Sequence, residues 1–130
     1  MEIIGIKETC LYISDLESAI SFYGKKMNFP VHSYSEGKYA FFKVGNDMLL
    51  CFNPAVSQSK KSPPAHFAKG KPHIAFEVSP LNYDKTKTTI QNLGIPIVDN
   101  IIWKNGQESF YFEDPFGNVL EIVPSGIRDD

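Results

Sequence analysis

The chain of 130 residues has only two cysteines, Cys10 and Cys51. That is too few for a disulfide framework and points to a reducing, cytoplasmic setting. No apolar run approaches the roughly 18 residues that a membrane-crossing helix needs. The opening M-E-I-I-G-I-K-E-T-C lacks a basic start, an apolar stretch and a small-residue cleavage site, so no secretion signal is expected. Neither sign of charge dominates: 13 basic against 15 acidic side chains leave a net charge of -2. Such a balance argues against nucleic acid or an anionic membrane as the partner, since both call for clustered positive charge. Glycine-rich phosphate loops, serine–histidine–acid signatures and paired-cysteine zinc motifs are also missing. What the chain does have is 42% hydrophobic and 22% charged residues, the balance of one soluble globular domain.

An internal repeat organises that domain. E-T-C-L-Y-I-S (8–14) aligns with H-I-A-F-E-V-S (73–79), placing Glu8 on His73, Leu11 on Phe76 and Ile13 on Val78. Each segment is followed by a helical stretch, then alternating strands broken by turns. L-C-F (50–52) aligns in turn with L-E-I (120–122), which sets Cys51 opposite Glu121. Two half-chains of one plan, βαβββ, follow: module one over about 1–54, a linker over about 55–70 and module two over about 71–125.

The spacing predicts a strand over 4–13, then a helix capped by Asp15 with Leu16, Ala19, Ile20, Tyr23 and Met27 as its buried stripe. In the second copy Ser79 and Pro80 start a helix that Gly94 stops, with Tyr83, Ile90 and Leu93 inward. Further strands are expected over 39–44, 48–53, 97–103, 108–113 and 119–123, with hairpin turns at 45–47 and 114–118. D-P-F-G-N at 114–118 looks functional but reads as turn geometry, and no chemistry is assigned to it. The polar, proline-rich stretch 57–64 reads as an exposed linker, and 31–38, 54–70 and 99–108 as rim loops.

Strand alternation sorts the faces. Leu11, Ile13, Leu50, Phe52, Ile74, Phe76, Val78, Leu120 and Ile122 are expected under the helices. The other face then carries Glu8, Cys10 and Tyr12; Leu49, Cys51 and Asn53; His73, Ala75 and Glu77; and Val119, Glu121 and Val123. A helix-covered sheet leaves its second face solvated or lining a cavity. Glu121, inside an apolar strand, is costly to bury without a partner, which makes it the leading candidate.

Three stretches, L-Y-I-S-D-L-E-S-A-I-S-F-Y (11–23), H-I-A-F-E-V (73–78) and F-Y-F-E-D-P-F-G-N-V-L-E-I (110–122), together resemble the vicinal oxygen chelate superfamily. This group is also called the glyoxalase, bleomycin-resistance and extradiol dioxygenase fold. The resemblance spans nearly the whole chain. It implies an α+β fold of two tandem βαβββ modules. Their curved mixed sheets would carry helices on the convex side and shape a cup completed in a homodimer. Mapped onto this chain, the family's metal positions fall on Glu8, Cys51, His73 and Glu121. His73 and Glu121 are usual ligand types; Glu8 stands where histidine or glutamine is common, and Cys51 where glutamate or glutamine is. Cys51, with Cys10 and Tyr12, is therefore expected to line the pocket, leaving Glu8, His73 and Glu121 as the metal set. His32 and His66 are expected in exposed loops, and Glu77 at the rim. Most of Tyr12, Tyr39, Phe41, Trp103, Phe110 and Phe112 are expected in the core, with one or more left for an apolar pocket.

One imidazole and two carboxylates suit a hard divalent ion such as Ni²⁺, Co²⁺, Mn²⁺, Zn²⁺, Mg²⁺ or Fe²⁺. The ion would chelate two adjacent oxygens of a small substrate and stabilise developing negative charge, while Glu8 or Glu121 moves a proton. That is glyoxalase-like lyase, isomerase or epimerase chemistry. Extradiol dioxygenation and thiol transfer to fosfomycin are less expected, because both usually rely on a histidine where Glu8 stands. The reading from another class is a metal-free, bleomycin-resistance-type module that sequesters a small molecule.

Overall fold

A computed structural model describes residues 1–62 and 64–127. The chain divides into two compact units, Met1–Gly70 and Lys71–Asp130. Both follow the plan that the repeat predicts. In the first unit strands β1 (Glu8–Tyr12), β2 (Val31–Ser35), β3 (Tyr39–Val44) and β4 (Asp47–Phe52) form one mixed sheet in the order β1-β4-β3-β2. In the second, β5 (His73–Val78), β6 (Asp99–Ile102), β7 (Glu108–Glu113) and β8 (Val119–Pro124) repeat it as β5-β8-β7-β6. The first strand of each sheet runs parallel to its last, and the remaining pairs are antiparallel. Among the described residues, no helix is long and apolar enough to cross a membrane.

Between β1 and β2 a helix, α1 (Leu16–Ala19), continues as a π-helical segment, Ile20–Lys26. Asp15 caps it as expected, its carboxylate accepting from the Ser18 amide at 3.1 Å. Asn28, at φ 59°, turns the chain out of the helix. Leu16, Ala19, Phe22 and Tyr23 are buried against Leu11, Phe42, Leu49 and Cys51. A short helix, α2 (Pro54–Ser57), follows β4. In the second unit a 3₁₀ turn, Pro80–Asn82, leads into α3 (Tyr83–Asn92), and Gly94 at φ 79° stops it. Tyr83 and Ile90 pack on a core of Phe110, Phe112, Leu120 and Ile122.

Several expectations need correction. β1 starts at Glu8 rather than near residue 4, because its partner β4 starts at Asp47 and offers nothing further upstream; the bond from Met48 N to Lys7 O, 2.9 Å, closes the ladder. Met1, Ile3, Ile4 and Ile6 are exposed as a result. Val31–Ser35 and Asp99–Ile102 are strands and not parts of rim loops. The presumed linker belongs to the first unit: Asn53 caps α2 through the Ala55 amide, and Ser57 and His66 are bound to each other twice.

The largest correction is to the faces of β4. In parallel register Cys10 lies beside Leu50 and Leu11 beside Cys51, while in the second unit Ala75 lies beside Glu121 and Phe76 beside Ile122. The repeat partner of Glu121 is therefore Leu50, a step of 71 residues (50 to 121), and not Cys51. Cys51, at 0% exposure, belongs to the layer beneath the helices together with Leu49. It does not line the pocket. No disulfide involves Cys10 or Cys51, which sit on opposite faces of their sheet.

Candidate functional site

The open face of the first sheet is an aromatic cavity of about 930 Å³. β1 contributes Glu8, Cys10 and Tyr12, β3 contributes Tyr39, Phe41 and Lys43, and β4 contributes Met48, Leu50 and Phe52. The aromatic rings form a chain of contacts. Tyr39 stacks on Phe41 at 4.4 Å, Phe41 meets Phe52 edge-on at 5.3 Å, and His66 meets Phe52 edge-on at 4.5 Å. The Tyr12 hydroxyl and His66 Nδ1 share a 2.8 Å hydrogen bond. His66 is thus a half-buried part of the wall rather than an exposed loop residue, fixed from behind by the Ser57 hydroxyl donating to its carbonyl at 2.7 Å. Burial pushes the Cys10 thiol up, and the neighbouring Glu8 carboxylate adds to the shift. That keeps the thiol protonated and weakly nucleophilic near neutral pH. Tyr12 is raised as well, first by burial and then by Cys10.

The open face of the second sheet is polar. β8 presents Glu121, directly across from Tyr111 on β7 and Ala75 on β5. Two residues before Ala75, His73 sits on the same face. Its Nε2 lies 3.0 Å from Glu121 Oε1, and its ring lies 5.8 Å from that of Tyr111. The pair is asymmetric in exposure: the Glu121 side chain is 5% exposed and that of His73 is 48%. A buried carboxylate therefore holds an accessible imidazole in place. At the end of this face Lys71 pairs with Glu113 at 2.9 Å.

Asp114 and Asn118 build the hairpin as expected, the Asp114 carboxylate accepting from the Phe116 and Asn118 amides at 2.9 and 2.8 Å. Glu77 is exposed on β5.

Of the residues singled out from the sequence, the structure brings His73 and Glu121 together. Glu8, Cys10 and Tyr12 stand on the other unit's open face, and Cys51 is buried behind it. Among the described residues, no three His, Cys, Asp or Glu side chains form a metal-holding cluster. The His73–Glu121 pair nevertheless fits half of one. It would offer a divalent ion an imidazole nitrogen and a carboxylate oxygen, 3.0 Å apart on one sheet face. The sequence reasoning missed the roles of Leu50, Phe52 and His66. For His66, the Asn53–Pro54 cap was the available signal that the stretch after β4 is structured.

Comparison with known proteins accords with this architecture. A family model described as Glyoxalase/Bleomycin resistance protein/Dioxygenase superfamily matches residues 5–122. A crystal structure of lactoylglutathione lyase from Agrobacterium tumefaciens superposes with a TM-score of 0.92 at 33% identity, covering 98% of both chains. The metallothiol transferase FosB of Bacillus licheniformis is 27% identical over 129 residues, 98% of this chain and 80% of that one. Its counterpart from Staphylococcus epidermidis is 23% identical over 130 residues, 99% of this chain and 87% of that one.

Proposed function

The chain belongs to the Glyoxalase/Bleomycin resistance protein/Dioxygenase superfamily, and from that premise we propose a glyoxalase-type metalloenzyme. Its substrate is a small molecule with two adjacent oxygens, and its chemistry is a proton transfer of the lyase, isomerase or epimerase kind. The observation that carries this reading is the His73–Glu121 pair, an imidazole and a buried carboxylate held 3.0 Å apart on an open sheet face.

Two of the donors for a divalent ion are His73 and Glu121. Glu8, the repeat counterpart of His73, is the further oxygen donor that the reading calls for. When bound, such an ion supplies Lewis-acid polarisation of two adjacent substrate oxygens. The chain's own part is to hold and move the proton. Glu121, shielded from water and hydrogen-bonded to His73, is a fixed base, and Glu8 is the second carboxylate of the reading. Tyr111, across from Glu121, flanks the imidazole and limits how it can turn.

The likeness to lactoylglutathione lyase supports thiol adducts of α-ketoaldehydes as the first substrates to try. The two FosB relatives favour a second reading, metal-dependent transfer of a thiol, against which stands the carboxylate of Glu8 where that branch usually has histidine. Elemental mass spectrometry on the wild type, His73→Ala and Glu121→Ala tests the first step. We expect about one divalent ion per chain in the wild type and none in either variant. Turnover of an α-ketoaldehyde–thiol adduct, assayed beside thiol addition to fosfomycin, then separates the two branches. A wild type that takes up no Mn²⁺, Ni²⁺, Co²⁺ or Zn²⁺ would overturn the metalloenzyme and leave a ligand-sequestering protein.

A further inference from the structure

The cavity of the first unit has a chemical character of its own, and it differs from that of the whole chain. Its floor is apolar and aromatic, with Phe41 and Phe52 in edge-on contact and Tyr39 and His66 extending the wall on either side. Flat rings gain from such walls through stacked and edge-on contacts beyond the burial of their area. The cavity's charged lining is four lysines against one carboxylate, Glu8. Lys7 donates to the Asn46 carbonyl at 2.9 Å, whereas among the described residues no hydrogen bond or ion pair engages the ammonium groups of Lys38, Lys43 and Lys60. Lys43 is half-buried and follows Tyr39 and Phe41 along the same face of β3. This is not the charge of the chain at large: residues 1–70 carry eight lysines and six carboxylates, and residues 71–130 five basic and nine acidic side chains. At about 930 Å³ the cavity lies within the range of small-ligand sites.

We infer that this cavity binds a small molecule with a flat aromatic or conjugated body and an anionic oxygen group, the rings taking the body and Lys43, Lys38 and Lys60 the charge. The inference rests on the first unit's own residues and does not require a metal.

Three probes of one size and one smaller anion test it, by titration calorimetry on EDTA-treated protein: 2-naphthoate, naphthalen-2-ylmethanol and naphthalen-2-ylmethylammonium, with benzoate as the smaller anion. We expect 2-naphthoate to bind at least about tenfold more tightly than the alcohol, the difference one well-placed charge contact makes. Benzoate should bind more weakly for want of ring area, and the ammonium should not bind. Added salt should weaken the naphthoate and leave the alcohol unchanged. Lys43→Met should bring the naphthoate down to the level of the alcohol, with Lys38→Met giving a smaller loss; each variant's melting curve shows that it is folded. Equal binding of the anion and the alcohol, preference for the cation, or no binding by any probe would overturn the inference. Because no metal is present in the titration, failure of the metalloenzyme reading would leave these outcomes untouched.

Discussion

The two units share a topology and differ in what they place on the open face of the same sheet. At the position beside the first strand where the second unit has Glu121, the first has Leu50; where the second has His73, the first has Glu8. Tyr111 in the second unit corresponds to Phe41 in the first, each opposite the residue just named on the last strand. One face has thereby become a buried acid bonded to an imidazole, the other an aromatic cavity rimmed by lysines. The layers beneath the helices stay apolar in both, with Phe42 and Leu49 on one side and Phe112 and Leu120 on the other. A repeated sheet can thus keep its hidden face for stability and spend its open face on two different chemistries, since alternate residues of a strand are independent of each other in direction.

The comparison is broken most sharply by exchanging what it says is unequal. Glu121→Gln keeps the shape of the site and removes the base, and we expect turnover to fall about a hundredfold or more, with loss of bound metal. Cys51→Ala should leave metal content and turnover unchanged while lowering stability by roughly 1–2 kcal/mol, because it removes a fully buried side chain from beneath the helices. Metal content measured beside urea unfolding separates the two. A Cys51→Ala protein that loses metal at full stability would restore the register in which Cys51 and Glu121 are counterparts.

That register shows what the sequence could and could not reveal. Order of elements, the Asp15 cap, the Gly94 stop and the Asp114–Asn118 turn were all readable, because each rests on a local preference of one or two residues. The face of β4 was not. Met48, Leu49, Leu50, Cys51 and Phe52 are all apolar, so alternation has no contrast to work on, and a slip of one residue reverses every side chain. The open face was apolar in that unit because it lines a cavity, which only pairing with β1 reveals. Val31–Ser35 was hidden for the opposite reason: as an edge strand it has exposed Val31, His32 and Tyr34 and no buried stripe to betray it. In the second unit His73 and Glu121 stood out among Ile74, Leu120 and Ile122, and the pair was found.

A smaller effect sharpens the comparison at the helix ends. Both leave through a left-handed residue, Asn28 at φ 59° in the first unit and Gly94 at φ 79° in the second. Glycine adopts this conformation without strain, and asparagine does so at a modest cost. Gly94→Ala should therefore destabilise by about 1–2 kcal/mol, although open space surrounds the position. Asn28→Gly should change stability by about 0.5 kcal/mol or less. Thermal melts of the pair check both. Equal losses would mean that packing around the two exits, and not the backbone angle, sets the cost.

A further effect of modest size at neutral pH concerns the second core, which among the described residues hides an unpartnered polar side-chain atom where the first hides none. Tyr83 packs edge-on against Phe110 at 5.6 Å, and among the described side chains its buried hydroxyl is the one left without a hydrogen-bond partner. Burial, followed by the Glu108, Asp84 and Glu121 carboxylates, pushes this phenol up to about 12. A raised value in the folded state means that the folded chain holds the proton when the unfolded chain has released it. Stability is complete below the ordinary phenol value near 10 and falls as the pH climbs toward 12. Tyr83→Phe removes both the unsatisfied hydroxyl and the titration. Near pH 7 it should be neutral or stabilising by about 1 kcal/mol, since an unmade buried hydrogen bond is only a cost. Between pH 10 and 12 its advantage over the wild type should widen, as read from urea midpoints across that range. A parallel fall of both proteins with pH would show that the Tyr83 phenol titrates alike in the folded and unfolded chains.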